Sequence, residues 1–216
     1  KNHHLMTTTQ VIVGLIILVA LIFDYTNGFH DAANAIATSV STKALRARTA
    51  LLIAALGNLI GAFLSEGVAK TVGKGIIEVK PSTAGLMSVM AALLGAIAWN
   101  LLTWWFGLPS SSSHALIGGL VGAALVSNET VLWSGVVQKV AIPMVISPMI
   151  GFTAAFMLTL LLQWLFRNSK RSKVGKGYKA GQIVAASAMS VGHGLQDAQK
   201  TMGVMTLALI VGGMHS

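Results

Sequence analysis

Two short stretches of the chain place an aspartate among apolar residues. Residues 28–34 read Gly-Phe-His-Asp-Ala-Ala-Asn, and residues 194–200 read Gly-Leu-Gln-Asp-Ala-Gln-Lys. In each stretch a glycine stands three positions before the aspartate, Asp31 or Asp197, and an alanine follows it. The chain has only three aspartates, so the matching positions of two of them indicate an internal repeat.

The side chains beside these aspartates suit the binding of a cation. Residues three apart share a helix face, which places Asn34 beside Asp31 and Lys200 beside Asp197. Carboxylate and amide oxygens, together with carbonyls freed by a broken helix, are hard ligands for Na⁺, and a carboxylate can instead carry a proton. Asp31, Asn34 and Asp197 are therefore candidates for a cation site. The simpler alternative is that the aspartates pair with Lys200 or cap helices.

A third polar stretch has the chemistry to hold an anion. Residues 107–115 read Gly-Leu-Pro-Ser-Ser-Ser-Ser-His-Ala. Pro109 ends the preceding helix, and the serines stand where a new helix, from Ala115 onward, would begin. The free N–H groups and positive dipole end of that helix attract an anion such as phosphate, and hydroxyls add donors. The candidate anion-binding residues are Ser110, Ser111, Ser112 and Ser113. The alternative is a turn whose hydroxyls satisfy only the backbone.

The composition places these residues in a membrane protein. The chain has 216 residues, of which 54% are hydrophobic and 10% charged, and its mean hydropathy is +0.74. Soluble domains carry about a quarter charged residues. A helix needs roughly 20 apolar residues to cross a bilayer core of about 30 Å. The charge-free stretches that can cross or re-enter the bilayer are 49–65, 81–128, 140–166, 180–196 and 201–216.

The net charge of +9 does not indicate a nucleic-acid partner, because the basic residues fall in short runs between apolar segments. Residues 167–179 hold six basic and no acidic residues, and residues 43–48 hold three more. Positive loops of this kind lie on the cytoplasmic side of a membrane, where they also meet anionic lipid headgroups. We therefore expect a multi-pass protein with membrane lipid as a partner and both basic loops in the cytoplasm.

These elements predict an all-α, polytopic transmembrane helical bundle. The first apolar run, 11–23, is too short to span alone, so a span that continues to residue 40 must carry Asp31 and Asn34 at depth. Gly28 offers a break in that helix. Since both basic loops lie on one side, the stretch 81–128 must return to the side on which it started. It does so either by two full crossings or by one re-entrant hairpin with the serines at its tip.

The three motifs together resemble the inorganic phosphate transporter family, the low-affinity phosphate permeases related to sodium-phosphate symporters. The resemblance rests on residues 28–35 followed by 38–40, on 107–115 and on 193–200, and it covers nearly the whole chain from Val11. It implies two inverted repeats, each with an Asp-containing broken helix and a serine- or threonine-rich hairpin. Such a protein imports phosphate across the plasma (inner) membrane by symport with H⁺ or Na⁺ and uses no cofactor.

The resemblance also implies which residues form the site. Asp31, Asn34, Asp197 and Lys200, or the backbone at Lys200, belong to the centre that holds ions and substrate, and the serines donate to phosphate. The family usually has Asn before its first aspartate, whereas this chain has His30. That departure adds His30 to the cation-coupling candidates and favours coupling to a proton over sodium.

The residues and the resemblance together predict how the chain is divided. Residues 1–10 would be a fragment edge or remnant, 11–166 the first transmembrane repeat, 167–179 a basic cytoplasmic loop, and 180–216 the start of a second, incomplete repeat. A second hairpin would be expected after the Asp197 motif, and the sequence holds none. We expect a missing C-terminal half, or a partner chain such as a second copy in a homo-oligomer, to complete the site.

Three other functions compete with phosphate transport. Sulfate is a tetrahedral oxyanion that would satisfy the same donors, but only phosphate can donate a hydrogen bond to a carboxylate. A divalent-metal transporter would use His30, Asp31, His193 and Asp197, and it leaves the serines unexplained. An intramembrane hydrolase would use a serine and His114, but the sequence shows no ordered triad and no nucleophile elbow. We therefore expect a transporter and not an enzyme.

Overall fold

The computed structural model describes residues 7–64 and 75–214. Within these ranges the chain is almost entirely helical, which confirms the all-α prediction. Its helices are α1 (Thr8–Ser41), α2 (Ala47–Ala62), α3 (Thr83–Trp105), α4 (Ser112–Val126), α5 (Trp133–Phe166) and α6 (Arg171–Val211). The short strands β1 (Ile77–Glu78) and β2 (Thr130–Val131) pair in antiparallel fashion. Of the described helices, α1, α3 and α5 are long and apolar enough to cross a membrane.

Helix α1 runs without interruption through the first aspartate motif. Thr7 and Gln10 form a capping box at its start, which satisfies two backbone donors that a helix otherwise leaves free. The helix then continues for 34 residues, past Gly28, over a length of about 51 Å. The predicted break at Gly28 is therefore corrected. A single glycine costs a helix only about 1 kcal/mol relative to alanine and leaves the backbone hydrogen bonds in place.

Helix α6 is also continuous through its aspartate motif. It extends for 41 residues and includes Gly194 and Asp197 in its interior. The second predicted broken helix is therefore absent as well, and the polar side chains of both motifs must be satisfied by other side chains. Residues 171–179, which the sequence suggested as part of a basic loop, form the first turns of α6. The connection to α5 is only a short turn near Ser169.

Helices α3 and α4 form the predicted hairpin with the serines at its tip. Gly107 takes a positive φ of 64° in the turn between them, a conformation that glycine adopts without strain. Gly119 permits close contact of the two helices, because a Cβ there would lie 2.5 Å from the Ala92 carbonyl oxygen. The β1–β2 pair joins the chain just before α3 to the chain just after α4. Both open ends of the hairpin therefore lie on one side, as two full crossings and a re-entrant hairpin both require.

Helices α1 and α6 lie antiparallel, with their polar residues in register. Ser39 near the end of α1 donates to the carbonyl of Gln182 near the start of α6, at 3.2 Å. At the other end, a Cβ on Gly212 would lie 2.7 Å from the Val13 side chain. The two aspartate motifs meet between these contacts. The internal repeat therefore becomes a face-to-face arrangement of the two motifs.

Helix α2 crosses α6 through a seam of small residues. A Cβ on Gly57 would lie 2.5 Å from the Ser190 side chain, one on Gly61 would strike the Val191 carbonyl, and one on Gly194 would strike Asn58. Small residues four apart on both helices allow the backbones to approach closely, as in the GxxxG motif of membrane helices. This seam fixes the position of α6 beside the first two helices.

An apolar cluster packs α1, α3, α4 and the end of α6 together. Its largest members, all fully buried, include Ile16, Phe23, Leu93, Leu116 and Leu120. Helix α5 differs, because none of its residues is buried against the described part of the chain. The described residues thus form a packed group of five helices and one long apolar helix beside it.

Candidate functional site

The tip of the α3–α4 hairpin lies between α1 and α6, where it meets both aspartate motifs. We call this cluster the polar centre and define it by the residues Asp31, Asn34, Ser112, Ser113, His193, Asp197 and Lys200, together with Asn27. The three regions that supply it are far apart in sequence, so only the tertiary fold brings them together. All of its members lie within helices, which hold their side chains on rigid elements.

Lys200 lies at the middle of the polar centre. Its side chain is only 2% exposed, and its ammonium group contacts Asp197 Oδ1 at 2.8 Å, the Ser112 hydroxyl, and the Ser113 hydroxyl at 3.4 Å. A buried cation is stable only when it is paired and hydrogen-bonded, and these contacts meet that need. The lysine therefore joins the second aspartate motif to the serine tip.

Asp197 is the most fully partnered carboxylate of the described chain. One oxygen accepts from Lys200, and the other accepts from Asn27 Nδ2 at 2.8 Å and contacts His193 Nε2 at 2.9 Å. Donors on both oxygens fix the orientation of this side chain and stabilise its charged form. Asp197 therefore holds Lys200 and His193 in place.

Asp31 is buried but has weaker partners. Its side chain accepts from Asn34 Nδ2 at 3.3 Å and from the Ser112 hydroxyl at 3.5 Å, both long distances for hydrogen bonds, and it makes no ion pair with a described residue. Good hydrogen bonds from these donor types are nearer 2.7–3.0 Å. The carboxylate is thus free to accept a further donor or to contact a cation.

The four predicted serines separate into two pairs. Ser110 accepts from the Trp99 indole at 3.0 Å, and Ser111 caps α4 by accepting from the His114 backbone at 3.3 Å. Only Ser112 and Ser113 contact the other predicted site residues. The separation has a physical reason. Ser111 precedes α4 and its hydroxyl serves as the N-cap, whereas Ser112 and Ser113 are the first residues of α4 and their hydroxyls contact Lys200. The structure therefore does not bring Ser110 and Ser111 into the polar centre.

Histidine 30 stands next to Asp31 in α1 but forms no hydrogen bond or ion pair with the described residues of the polar centre. Its Nδ1 atom is buried and has no hydrogen-bond partner among the described residues. Of the described histidines, His193 is the one that pairs with an aspartate of the centre, Asp197. Ligand atoms of Asp31, His193 and Asp197 lie within 4.8 Å of one another, a spacing that could hold a metal ion.

Sequence reasoning missed Asp24 and Asn27 as site residues and gave His193 only to the metal alternative. Asp24 and Asn27 stand seven and four positions before Asp31, so all three share one face of α1. That periodicity was the available signal. Together with Asn58 of α2, Asp24, Asn27, His193 and Asp197 line a cavity of about 490 Å³ next to the polar centre.

Apolar helices that enclose a buried cluster of charged and hydroxyl side chains define an integral membrane transport protein, since such groups are costly in lipid and mark pathways for ions and substrates. Residues 27–214 match the PHO4 phosphate transporter family. The chain therefore belongs to the phosphate transporter family, which confirms the resemblance, the membrane location and the prediction that it is not an enzyme.

Several curated relatives carry a phosphate transporter name. A probable low-affinity inorganic phosphate transporter of Streptomyces halstedii is 57% identical over 86% of this chain and 87% of its own length. A protein of the same name in Bacillus subtilis is 45% identical over 98% of this chain and 64% of its own length. The low-affinity inorganic phosphate transporter PitA of Escherichia coli is 34% identical over 96% of this chain. The chain spans 48% of that protein, so it corresponds to about half of some relatives.

A solved structure shows the same fold. The sodium-dependent phosphate transporter superposes on 94% of this chain and 73% of its own, with a TM-score of 0.76. Its sequence identity to this chain is 21%, so the likeness concerns the helical architecture alone.

Proposed function

We propose that this chain forms the phosphate-binding part of a secondary transporter that imports inorganic phosphate together with H⁺ or Na⁺. The observation that carries the proposal is the buried Lys200, held against two hydroxyls at the start of α4 and beside Asp31. Within the apolar bundle, this arrangement offers a positive charge, hydroxyl donors and a helix N-terminus to one small anion. The names of the relatives agree with this chemistry.

The donors and acceptors of the centre suit phosphate better than sulfate. Lys200, Ser112 and Ser113 can donate to the oxygens of either anion. Asp31, whose present hydrogen bonds are long, can only accept a proton while it is charged. Phosphate at neutral pH carries a hydroxyl that can donate to this carboxylate, whereas sulfate carries none. The carboxylate therefore favours phosphate and repels the other oxyanion.

A count of charges supports coupling to a cation. The described parts of α1 and α6 bring together Asp24, Asp31 and Asp197, and Lys200 is the lysine that the structure pairs with them. Binding of phosphate adds further negative charge to a site of low dielectric constant. Uncompensated charge is expensive inside a membrane. A proton or a sodium ion that enters with phosphate would offset it.

One specific observation favours a second candidate, transport of a divalent metal ion. Asp31, His193 and Asp197 place one ligand atom each within 4.8 Å of the others, and carboxylate and imidazole ligands bind such ions. Asp197, however, already contacts Lys200 at 2.8 Å, and the ammonium group would repel a metal ion. The arrangement supports phosphate binding more strongly.

Substitution of Lys200 tests the proposal. The full-length protein is placed in liposomes, and uptake of radiolabelled phosphate is measured with sodium and pH gradients imposed separately. We expect Lys200→Met to reduce uptake and phosphate binding to background, because the anion loses its buried positive partner. Lys179→Met is the matched control, since Lys179 is an exposed lysine of the same helix, and it should behave as wild type.

A second variant distinguishes loss of phosphate binding from loss of the fold. Removing one partner of a buried pair costs about 3–5 kcal/mol, because the other charge remains buried. Lys200→Met combined with Asp197→Asn removes both charges and keeps the packing. This double variant should fold, as judged by its melting temperature, and still fail to bind phosphate. Wild-type binding of phosphate by the folded double variant would contradict the proposal.

A further inference from the structure

Beside the polar centre lies the cavity of about 490 Å³ between α1, α2 and α6, which we call the side cavity. Its polar lining includes Asp24, Asn27 and Asn58 in addition to His193 and Asp197. Neither Ser112 nor Ser113 lines it. The side cavity thus shares Asn27, His193 and Asp197 with the polar centre, and the hydroxyl donors at the start of α4 are not part of its lining.

Asp24 differs from Asp197 in its partners. The hydroxyl of Thr201 donates to Asp24 Oδ1 at 2.9 Å, and no ion pair joins Asp24 to a residue of the described chain. Asp197 has three partners, two of which can carry positive charge. A half-buried carboxylate with one neutral donor is poorly stabilised as an anion. A positive charge that arrives from outside would stabilise it most.

Asn27 supplies a second, independent indication. Its side chain is 2% exposed, and its Oδ1 atom is buried without a hydrogen-bond partner among the described residues. The orientation of the amide is fixed, because Asp197 only accepts and so requires Nδ2 on its side, at 2.8 Å. An unpartnered carbonyl oxygen therefore remains, three residues after Asp24 on the same face of α1. Such an oxygen can accept from a proton donor or contact a cation.

The charged groups that act on Asp24 lie on α6, which presents Asp197 and Lys200. His193 of the same helix lines the side cavity together with Asp24. The polar residue that α2 contributes to the side cavity is the uncharged Asn58, and α3 has no charged residue in its sequence. Lys200 forms its ion pair with Asp197, at 2.8 Å. Asp24 therefore forms no ion pair with a lysine of the described chain.

We propose that Asp24 carries the coupling cation, as a proton on its carboxyl group or as a sodium ion held between that group and Asn27 Oδ1. The cation reaches Asp24 through the side cavity and not through the serine tip. This inference rests on the proposed function. It assigns cation and anion to neighbouring but separate positions, joined by the Asn27–Asp197 hydrogen bond.

That hydrogen bond gives the two positions a physical link. A cation at Asp24 would attract Asn27 Oδ1 and polarise the amide, which changes the strength of the hydrogen bond that Asn27 Nδ2 donates to Asp197. Asp197 in turn orients Lys200, which faces the anion position. Loading of the cation would thus alter the group that binds phosphate. Coupling requires such a connection, since two ligands affect each other only through a difference in interaction free energy.

Asp24→Asn separates coupling from phosphate binding. The full-length variant is placed in liposomes, and two rates are measured, gradient-driven accumulation of labelled phosphate and exchange of labelled for unlabelled phosphate without a gradient. We expect accumulation to be lost and exchange to continue near the wild-type rate, because a neutral amide needs no cation. Imposing pH and sodium gradients in turn on the wild type identifies the ion. Glu129→Gln, outside the polar centre, is the control.

Thr201→Val refines the test, because it removes the hydrogen bond to Asp24 and keeps the side-chain volume. A hydrogen bond to a charged group contributes about 1.5–3 kcal/mol, so the midpoint of the proton or sodium dependence of uptake should shift by about tenfold or more. Gradient-driven accumulation by Asp24→Asn would overturn the inference, and so would loss of exchange together with accumulation. A wild-type protein that moves no phosphate at all contradicts the proposed function itself.

Discussion

Helices α1 and α5 resemble each other in length and hydropathy but have opposite positions in the fold. Each contains 34 residues and is apolar enough to cross a membrane. A third of the most apolar window of α1 is buried inside the described structure, whereas no part of the corresponding window of α5 is. Hydropathy therefore shows that both can span a bilayer, but it does not show which of them forms the interior.

The difference between the two helices lies in their polar residues. One face of α1 carries Asp24, Asn27 and Asp31, each of which has a partner on α4 or α6. Residues 142–166 of α5 contain no charged side chain. Lipid tails are as apolar as leucine, so apolar surface gives a helix little reason to leave them. Buried polar groups do give a reason, because they need partners.

The largest effect should come from neutralising the aspartates of the polar centre. Asp31→Asn or Asp197→Asn should abolish phosphate uptake, because the first variant loses the acceptor for the phosphate hydroxyl and the second loses the group that orients Lys200. Insertion into the membrane should change little, since asparagine has nearly the same shape. Radiolabelled uptake and membrane fractionation measure the two properties. Full uptake by both variants would refute their assigned roles.

A smaller but still large effect should follow from filling the seam between α2 and α6. Gly194→Leu should lower the melting temperature strongly, because any Cβ at this position meets the backbone of Asn58. Gly151→Leu in α5 is the matched control, since nothing lies within 4 Å of a Cβ there. Fluorescence-detected size-exclusion chromatography during heating compares the two. Equal melting temperatures would show that the comparison between the packed helices and α5 is wrong.

The smallest of these effects distinguishes the serines within the hairpin tip. Ser112→Ala should weaken phosphate binding by about tenfold, because a hydrogen bond to a charged group contributes about 1.5–3 kcal/mol. Ser110→Ala should leave binding near the wild-type value, since that hydroxyl contacts Trp99. Equilibrium binding of labelled phosphate to purified protein gives both constants. A larger loss for Ser110→Ala than for Ser112→Ala would reverse the assignment.

Much of the polar centre could be predicted, because charged residues are rare in membrane-spanning segments. Asp31, Asp197 and Lys200 stand out in apolar segments, and the structure places all three at the meeting point of α1, α4 and α6. The hairpin could be predicted as well, because Pro109 and the serines interrupt a long apolar stretch. The division into two inverted repeats stays a prediction.

The sequence by itself determined that the chain is a multi-helix membrane protein with carboxylates and hydroxyls within its apolar segments, because the hydropathy of a segment depends on residue type alone. Only the tertiary structure decided that Gly28 leaves α1 intact, that Ser112 and Ser113 face Lys200 while Ser110 does not, and that Asp24 lines a cavity. Such outcomes depend on which side chains of neighbouring helices lie in contact. The spacing of residues along the chain does not give the distances between side chains on different helices.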